Sequence, residues 1–95
     1  MTLSLTRITN VEFDPELSEY DAHSVREVRR LLGMSQAIFA QFLGVTRSAV
    51  RAWEQGLRPP KAIARRFMDE IRHAPRYWKK RVRQMVKHKP TPETI

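Results

Sequence analysis

Hydrophobic residues recur at helical spacing along most of the chain, from about residue 21 onward. In the first such segment Val25 and Val28 fall on one face of a helix that ends near Leu32. Ser18, Asp21 and Ser24 could each cap its start, so its first residue stays open. Four more segments follow, and we predict further helices over about 36–43, 47–55, 61–73 and 76–87.

Very short turns separate the first three predicted helices. Gly33, Gly44 and Gly56 each follow a helical segment, and glycine readily takes the left-handed conformation that closes a last turn. Ser35 and Thr46 come two residues after the first two glycines, where their hydroxyls can cap the next helix. The pattern therefore predicts an all-α fold of five helices.

The last two predicted helices have apolar stripes of their own. Ile63, Phe67 and Ile71 are spaced four apart in the fourth helix, and we expect Trp78 and Val82 of the fifth to pack in the core. The other edge of the fifth helix is basic, and its role stays open between binding DNA, binding an acidic partner and simple solvation. That edge comprises Arg76, Lys80, Arg83 and Lys87.

The first 20 residues follow a different pattern. Leu3 and Leu5 alternate with polar residues, which is typical of a short strand, and a strand needs a partner edge for its backbone groups. We therefore divide the chain into an N-terminal arm over 1–20, a helical domain over 21–74, and a basic C-terminal helix and tail over 75–95.

Composition narrows the classes of function. The chain has 95 residues and no cysteine, which excludes disulfides, cysteine-based zinc sites and thiol nucleophiles. No apolar run approaches the length of a membrane span, and the first residues do not resemble a signal peptide, so we expect a cytoplasmic protein. The net charge is +8, with an acidic arm and a strongly basic last third. Nucleic acid is therefore the first partner to consider.

The second and third predicted helices meet the requirements of a helix-turn-helix. Two short helices that pack steeply around a tight turn need a small residue at their contact and a permissive residue in the turn, and Ala40 and Gly44 fit these positions. Phe39, Val50 and Trp53 supply apolar positions that lock the pair to the rest of the domain. We expect these three side chains in the core.

This segment, SQAIFAQFLGVTRSAVRAWEQG over residues 35–56 followed by Arg58, Pro59 and Pro60, resembles the XRE family of helix-turn-helix regulators, which includes phage Cro and repressor proteins. With flanking helices the resemblance extends over about 21–73. The arm that precedes the VREVRR segment is similar to HigA-type antitoxins within that family. The resemblance implies a repressor-like five-helix domain with an N-terminal arm, which binds double-stranded DNA as a homodimer on a palindromic operator.

The resemblance also implies roles for individual residues. The third helix would enter the major groove and read bases through Arg47, Ser48 and Arg51. A second set would bind phosphates and set the register without reading sequence. That set comprises Gln36, Thr46 and Arg58.

Other chemistry finds little support in the chain. Glu54 is expected to pair with a neighbouring arginine, and the three histidines lack the spacing of metal ligands. No catalytic constellation and no glycine-rich phosphate loop are present, so we expect no enzyme, no metal and no cofactor.

Three functions remain open. The first is a sequence-specific transcriptional regulator that represses its own gene. The second is an antitoxin whose main role is to bind a toxin protein through the acidic arm. The arm could add a strand to a partner sheet, or it could pair with its copy in a dimer. The third is a nonspecific basic nucleic-acid binder.

Overall fold

The computed structural model describes residues 7–87, and this part of the chain contains five helices and no strand. The predicted all-α fold is confirmed. The predicted strand at Leu3 and Leu5 lies outside the described residues. In chain order the helices are α1 (Ala22–Leu31), α2 (Gln36–Leu43), α3 (Arg47–Glu54), α4 (Ala62–His73) and α5 (Pro75–Met85).

Side-chain caps begin the first three helices. Asp21 Oδ1 accepts from the Ser24 N–H at 2.8 Å. Of the three caps that the sequence left open for α1, the structure therefore uses Asp21. Ser35 Oγ accepts from the Ile38 N–H at 3.2 Å, and Thr46 Oγ1 accepts from the Ala49 N–H at 3.1 Å. Each cap satisfies a donor that the helix itself leaves unpaired.

The turn between α2 and α3 depends on Gly44. This residue has a φ of +76°, and the N–H of Val45 donates to the Ala40 carbonyl at 2.9 Å across the end of α2. Such a bond can close the helix only when the residue before Val45, which is Gly44, adopts the left-handed conformation. The turn brings Thr46 to the start of α3 after only two further residues.

The core lies between α1, α2, α3 and α4. Its fully buried side chains are Val25, Val28, Phe39, Val50, Met68 and Ile71. An aromatic cluster joins α5 to this core: the Phe67 ring lies 5.0 Å from Phe42 and 5.3 Å from Trp78 between centroids. Val82 is also buried, so α5 packs on the domain through Trp78 and Val82, as expected.

The apolar stripe predicted for α4 is wrong at one position. Ile63 is 77% exposed, and Ala64 and Met68 are buried together with Ile71. Ala64 lines a groove with Trp53 of α3, so the buried face of α4 begins with a small side chain where the two helices approach. The helix is therefore rotated by about one residue from the orientation that the largest side chains indicate.

The residues just before α1 are fixed to α4. The Tyr20 side chain is buried, and its hydroxyl donates to Asp69 Oδ1 at 2.7 Å. The Ser18 N–H donates to the other carboxylate oxygen of Asp69 at 3.0 Å, and the Arg72 guanidinium lies 5.5 Å from the Tyr20 ring centroid. The C-terminal end of the predicted arm thus packs against the helical body. Between residues 7 and 87, no helix has the length and hydrophobicity needed to cross a membrane.

Candidate nucleic-acid interface

Helix α3 has one buried face and one exposed face. Val50 and Trp53 point into the core, whereas Arg47, Ser48 and Arg51 are exposed. The helix has eight residues and is about 12 Å long, with a diameter that a B-DNA major groove admits. The structure thus places all three predicted base-reading residues on the outside of a helix of suitable size.

Gln55 extends this exposed face, and the sequence analysis missed it. Gln55 follows α3 directly and lines a shallow depression together with Ser48, Arg51 and Ala52. A glutamine amide can form two hydrogen bonds to an adenine edge, so its chemistry suits base reading. The signal was present in the sequence, because residues 48, 51 and 55 lie on one face at helical spacing.

The exposed face of α3 carries positive charge only. The single acidic residue of the helix, Glu54, is 6% exposed and is held by arginines from α1. The first turns of α2 and α3 contain no acidic residue, so nothing there opposes the positive ends of the helix dipoles. The surface formed by these elements therefore suits a polyanion.

Glu54 is the centre of the polar network that holds α3 in place. Arg29 Nε donates to Glu54 Oε2 at 2.7 Å, and Arg29 Nη2 donates to Oε1 at 2.8 Å, which makes the pair bidentate. Arg26 Nη2 donates to the Glu54 carbonyl at 2.9 Å. Burial by itself raises the pKa of Glu54, but the hydrogen bonds from Arg29 and Gln36 outweigh it and hold this pKa below its usual value. The expected pairing of Glu54 with arginine is present.

Gln36 lies at the first position of α2 and is half-buried. Its Nε2 donates to Glu54 Oε1 at 3.3 Å. The amide is therefore oriented by the same network that holds α3. One amide hydrogen and the amide oxygen remain for other partners.

Thr46 and Arg58 come together at one groove. Both line a depression between the start of α3 and the start of α4, and Lys61 lines it as well. All three side chains are exposed. Lys61 is a further candidate phosphate ligand that sequence reasoning missed, because only the fold brings the segment after Pro60 beside Thr46.

Other site chemistry is not evident in the part of the chain that the structure describes. Within residues 7–87 no group of histidine and acidic side chains is arranged to hold a metal ion. The polar clusters found there join helices to each other or fix the residues before α1, so each has a structural explanation.

Comparison with known proteins addresses the same segment. No curated protein matches the chain in sequence. Residues 25–66 match a family model described as helix-turn-helix, and this stretch runs from α1 into α4. The match confirms the helix-turn-helix part of the predicted resemblance to XRE-type regulators. It indicates a DNA-binding transcriptional regulator, a class that typically has no enzymatic activity.

Proposed function

We propose that this protein is a sequence-specific repressor that binds a palindromic operator as a homodimer and controls its own gene. The observation that carries the proposal is the two-sided character of α3. Its buried face is locked into the core by Val50 and Trp53, and its outer face presents Arg47, Ser48 and Arg51. A rigid helix with exposed arginines is the element that reads major-groove base edges.

The proposal assigns two kinds of contact. Arg47, Ser48 and Arg51 read bases, and Gln55 extends their reach by one turn. Phosphate contacts come from Gln36, Thr46 and Arg58, with Lys61 beside the last two. In this assignment two copies place their α3 helices about 34 Å apart, one turn of DNA. Thr46 then has two roles, because its hydroxyl caps α3 and its exposed side chain faces the groove that also contains Arg58.

The test is fluorescence anisotropy with two DNA duplexes. One carries the sequence upstream of the protein's own gene, and the other carries a scrambled sequence of the same composition. We expect a preference of about 10³ or more for the upstream DNA near 150 mM salt. Equal, weak binding to both duplexes would instead favour the nonspecific basic binder.

Arg47→Ala tests the base-reading assignment. If Arg47 binds a guanine edge, the variant loses about 1–3 kcal/mol on the operator and tolerates substitution of that base pair. Arg30→Ala is the matched control, because Arg30 is an exposed arginine of α1 and its loss changes the net charge equally. The control should keep the base preference. An Arg47 variant that weakens binding evenly on all sequences would contradict the assignment.

A second candidate function is that of an antitoxin that binds a toxin through the arm. It is favoured by three apolar side chains of the arm, Ile8, Val11 and Phe13, which are each more than 60% exposed. Exposed apolar residues close together in one segment are typical of protein-binding segments. A pull-down with the product of the adjacent gene tests this candidate. Replacing Ile8, Val11 and Phe13 by serine should abolish capture and leave the helical domain folded, which circular dichroism checks.

A further inference from the structure

A groove with apolar walls lies between α2 and α5, and none of its lining residues belongs to the proposed DNA interface. Its volume is about 310 Å³. Ile38, Met85 and Val86 line it and are 47%, 49% and 50% exposed, so three large apolar side chains lie open to water at one place. Met34, Phe42 and Val82 form its floor. An exposed apolar patch of this kind marks a contact surface rather than a region of ordinary solvation.

The surroundings of the groove are strongly basic. α5 contains five lysine and arginine residues and no acidic residue, and α2 contains no charged residue at all. Lys87 lines the groove itself, and Arg83 lies with Arg76 and Lys80 on another face of α5. A segment that fills the groove should therefore combine apolar side chains with negative charge.

The arm of this chain has that combination. Ile8, Val11 and Phe13 are 68%, 63% and 73% exposed. Four acidic residues lie between these apolar residues or follow them in the arm. They are Glu12, Asp14, Glu16 and Glu19. Arg7 is the single basic residue over positions 7–19. One chain thus carries an acidic apolar arm and a basic apolar groove, both open to solvent.

We infer that the arm of one copy binds in the α2–α5 groove of a second copy, and that the second copy returns its own arm. The inference rests on the proposed function in one respect, since it supplies the contact for the homodimer. A reciprocal exchange satisfies two-fold symmetry, and it fills both grooves of the dimer at once. Two such contacts bury more surface than one, and a stable dimer needs this because each groove is small. Ser18 and Tyr20, fixed to Asp69 of α4, form the base from which each arm extends.

The first experiment measures the oligomeric state without DNA, by sedimentation velocity over a concentration series. We expect dimers in the full chain. Phe13→Asp would place a carboxylate in the apolar groove and should raise the dimer dissociation constant at least about 30-fold. Tyr77→Asp is the control, because Tyr77 is also open at 58% exposure but does not line the groove. A full chain that stays monomeric throughout would overturn the inference.

A charge exchange identifies which chain supplies the arm. One variant reverses a charge of the arm (Glu12→Lys), and the other reverses the single charge of the groove lining (Lys87→Glu). Each should dimerise about tenfold more weakly alone, because both of its arm–groove contacts then join like charges. Mixing them restores dimers, since each arm then meets a groove of opposite sign. If the arm folded back onto its own groove, the mixture would behave like the separate variants, and the inference would fail.

Two controls separate this result from charge effects and from failure of the proposed function. Arg83→Glu makes the same charge change on α5 outside the groove lining, and it should leave dimerisation unchanged. DNA preference is then measured on every variant. Normal dimers without operator preference would refute the repressor function alone. Unchanged dimerisation of the arm and groove variants, with operator preference intact, would refute the arm exchange alone.

Discussion

Glu54 shows how a single buried carboxylate can serve a DNA-binding surface without touching it. Its side chain is 4% exposed, and it joins Arg29 of α1, Gln36 of α2 and the end of α3. A buried charge is tolerated only when its hydrogen-bonding capacity is satisfied. Arg29 supplies two of the hydrogen bonds that the Glu54 carboxylate accepts. The network therefore fixes the angle at which α3 leaves the core, while the exposed face of the helix keeps its positive charge.

Removing Arg29 should be costly for this reason. Arg29→Ala leaves the Glu54 carboxylate buried with only part of its partners, and we expect a loss of about 3 kcal/mol in the free energy of unfolding. Urea denaturation measures it. Arg30→Ala removes an exposed arginine from the next position and should change stability by less than about 0.5 kcal/mol. Similar losses in both variants would contradict a structural role for the pair.

Tyr20 makes a corresponding contact between the segment before α1 and helix α4. Burial, followed by the hydrogen bond to Asp69, raises the pKa of its phenol from 10.0 to about 12. Tyr20→Phe removes a hydrogen bond to a charged group and should cost about 1.5–3 kcal/mol at neutral pH. The folded pKa lies above the unfolded one, so this stabilisation is complete below pH 10 and is lost as the pH rises toward 12. Urea titrations at several alkaline pH values should show this loss in the parent and a smaller one in the variant.

At the scale of elements, the α2–α3 turn sets the geometry of the motif. Gly44 has a φ of +76°, and a Cβ there would meet no atom within 4 Å, so backbone conformation and not crowding requires glycine. Gly44→Ala should destabilise the domain by about 1–2 kcal/mol, measured by thermal or urea unfolding. Gly44→Asn should cost less, because asparagine tolerates the left-handed region better. An alanine variant as stable as the parent would show that the turn can close in another way.

The elements differ in how well the sequence predicts them. α2 and α3 follow from local signals, a cap at one end and a glycine at the other, so their predicted bounds agree with the structure to within one residue. The orientation of α4 depends on what it packs against. Ala64 rather than Ile63 faces α3, and periodicity cannot distinguish two stripes that differ by one residue. The contact between Tyr20 and Asp69 spans 49 positions, and no local pattern predicts it.

The same distinction applies to the candidate site. The resemblance to XRE-type regulators implied base-reading roles for Arg47, Ser48 and Arg51, and the structure leaves all three exposed. Lys61 was missed because its position beside Thr46 depends on the path of the chain after α3. Exposure along one helix is thus predictable from sequence, whereas proximity that depends on packing between helices is not.

At the scale of the whole molecule, charge is separated along the chain. The net charge is +8, yet residues 7–19 are acidic and α5 is entirely basic among its charged residues. Such a distribution attracts DNA over long range, and it also lets two copies attract each other through opposite ends. If the arm covers the groove beside α5, part of the positive charge is neutralised within the dimer. The positive charge around α3 and the groove that contains Arg58 is not covered by the arm and remains for DNA.

Salt dependence measures how much of that charge reaches the phosphates. Arg58 is exposed beside Thr46 and Lys61, and a phosphate contact there releases about one counterion. Arg58→Ala should therefore reduce the slope of log Kobs against log salt by about 0.9 per copy and weaken operator and scrambled duplexes by the same factor. Anisotropy titrations at several salt concentrations supply both numbers. Arg47→Ala removes an equal charge but should reduce the operator preference, because it also removes a base contact. If the two variants exchanged these behaviours, Arg58 would be the base reader and the proposed docking of α3 would have to be turned accordingly.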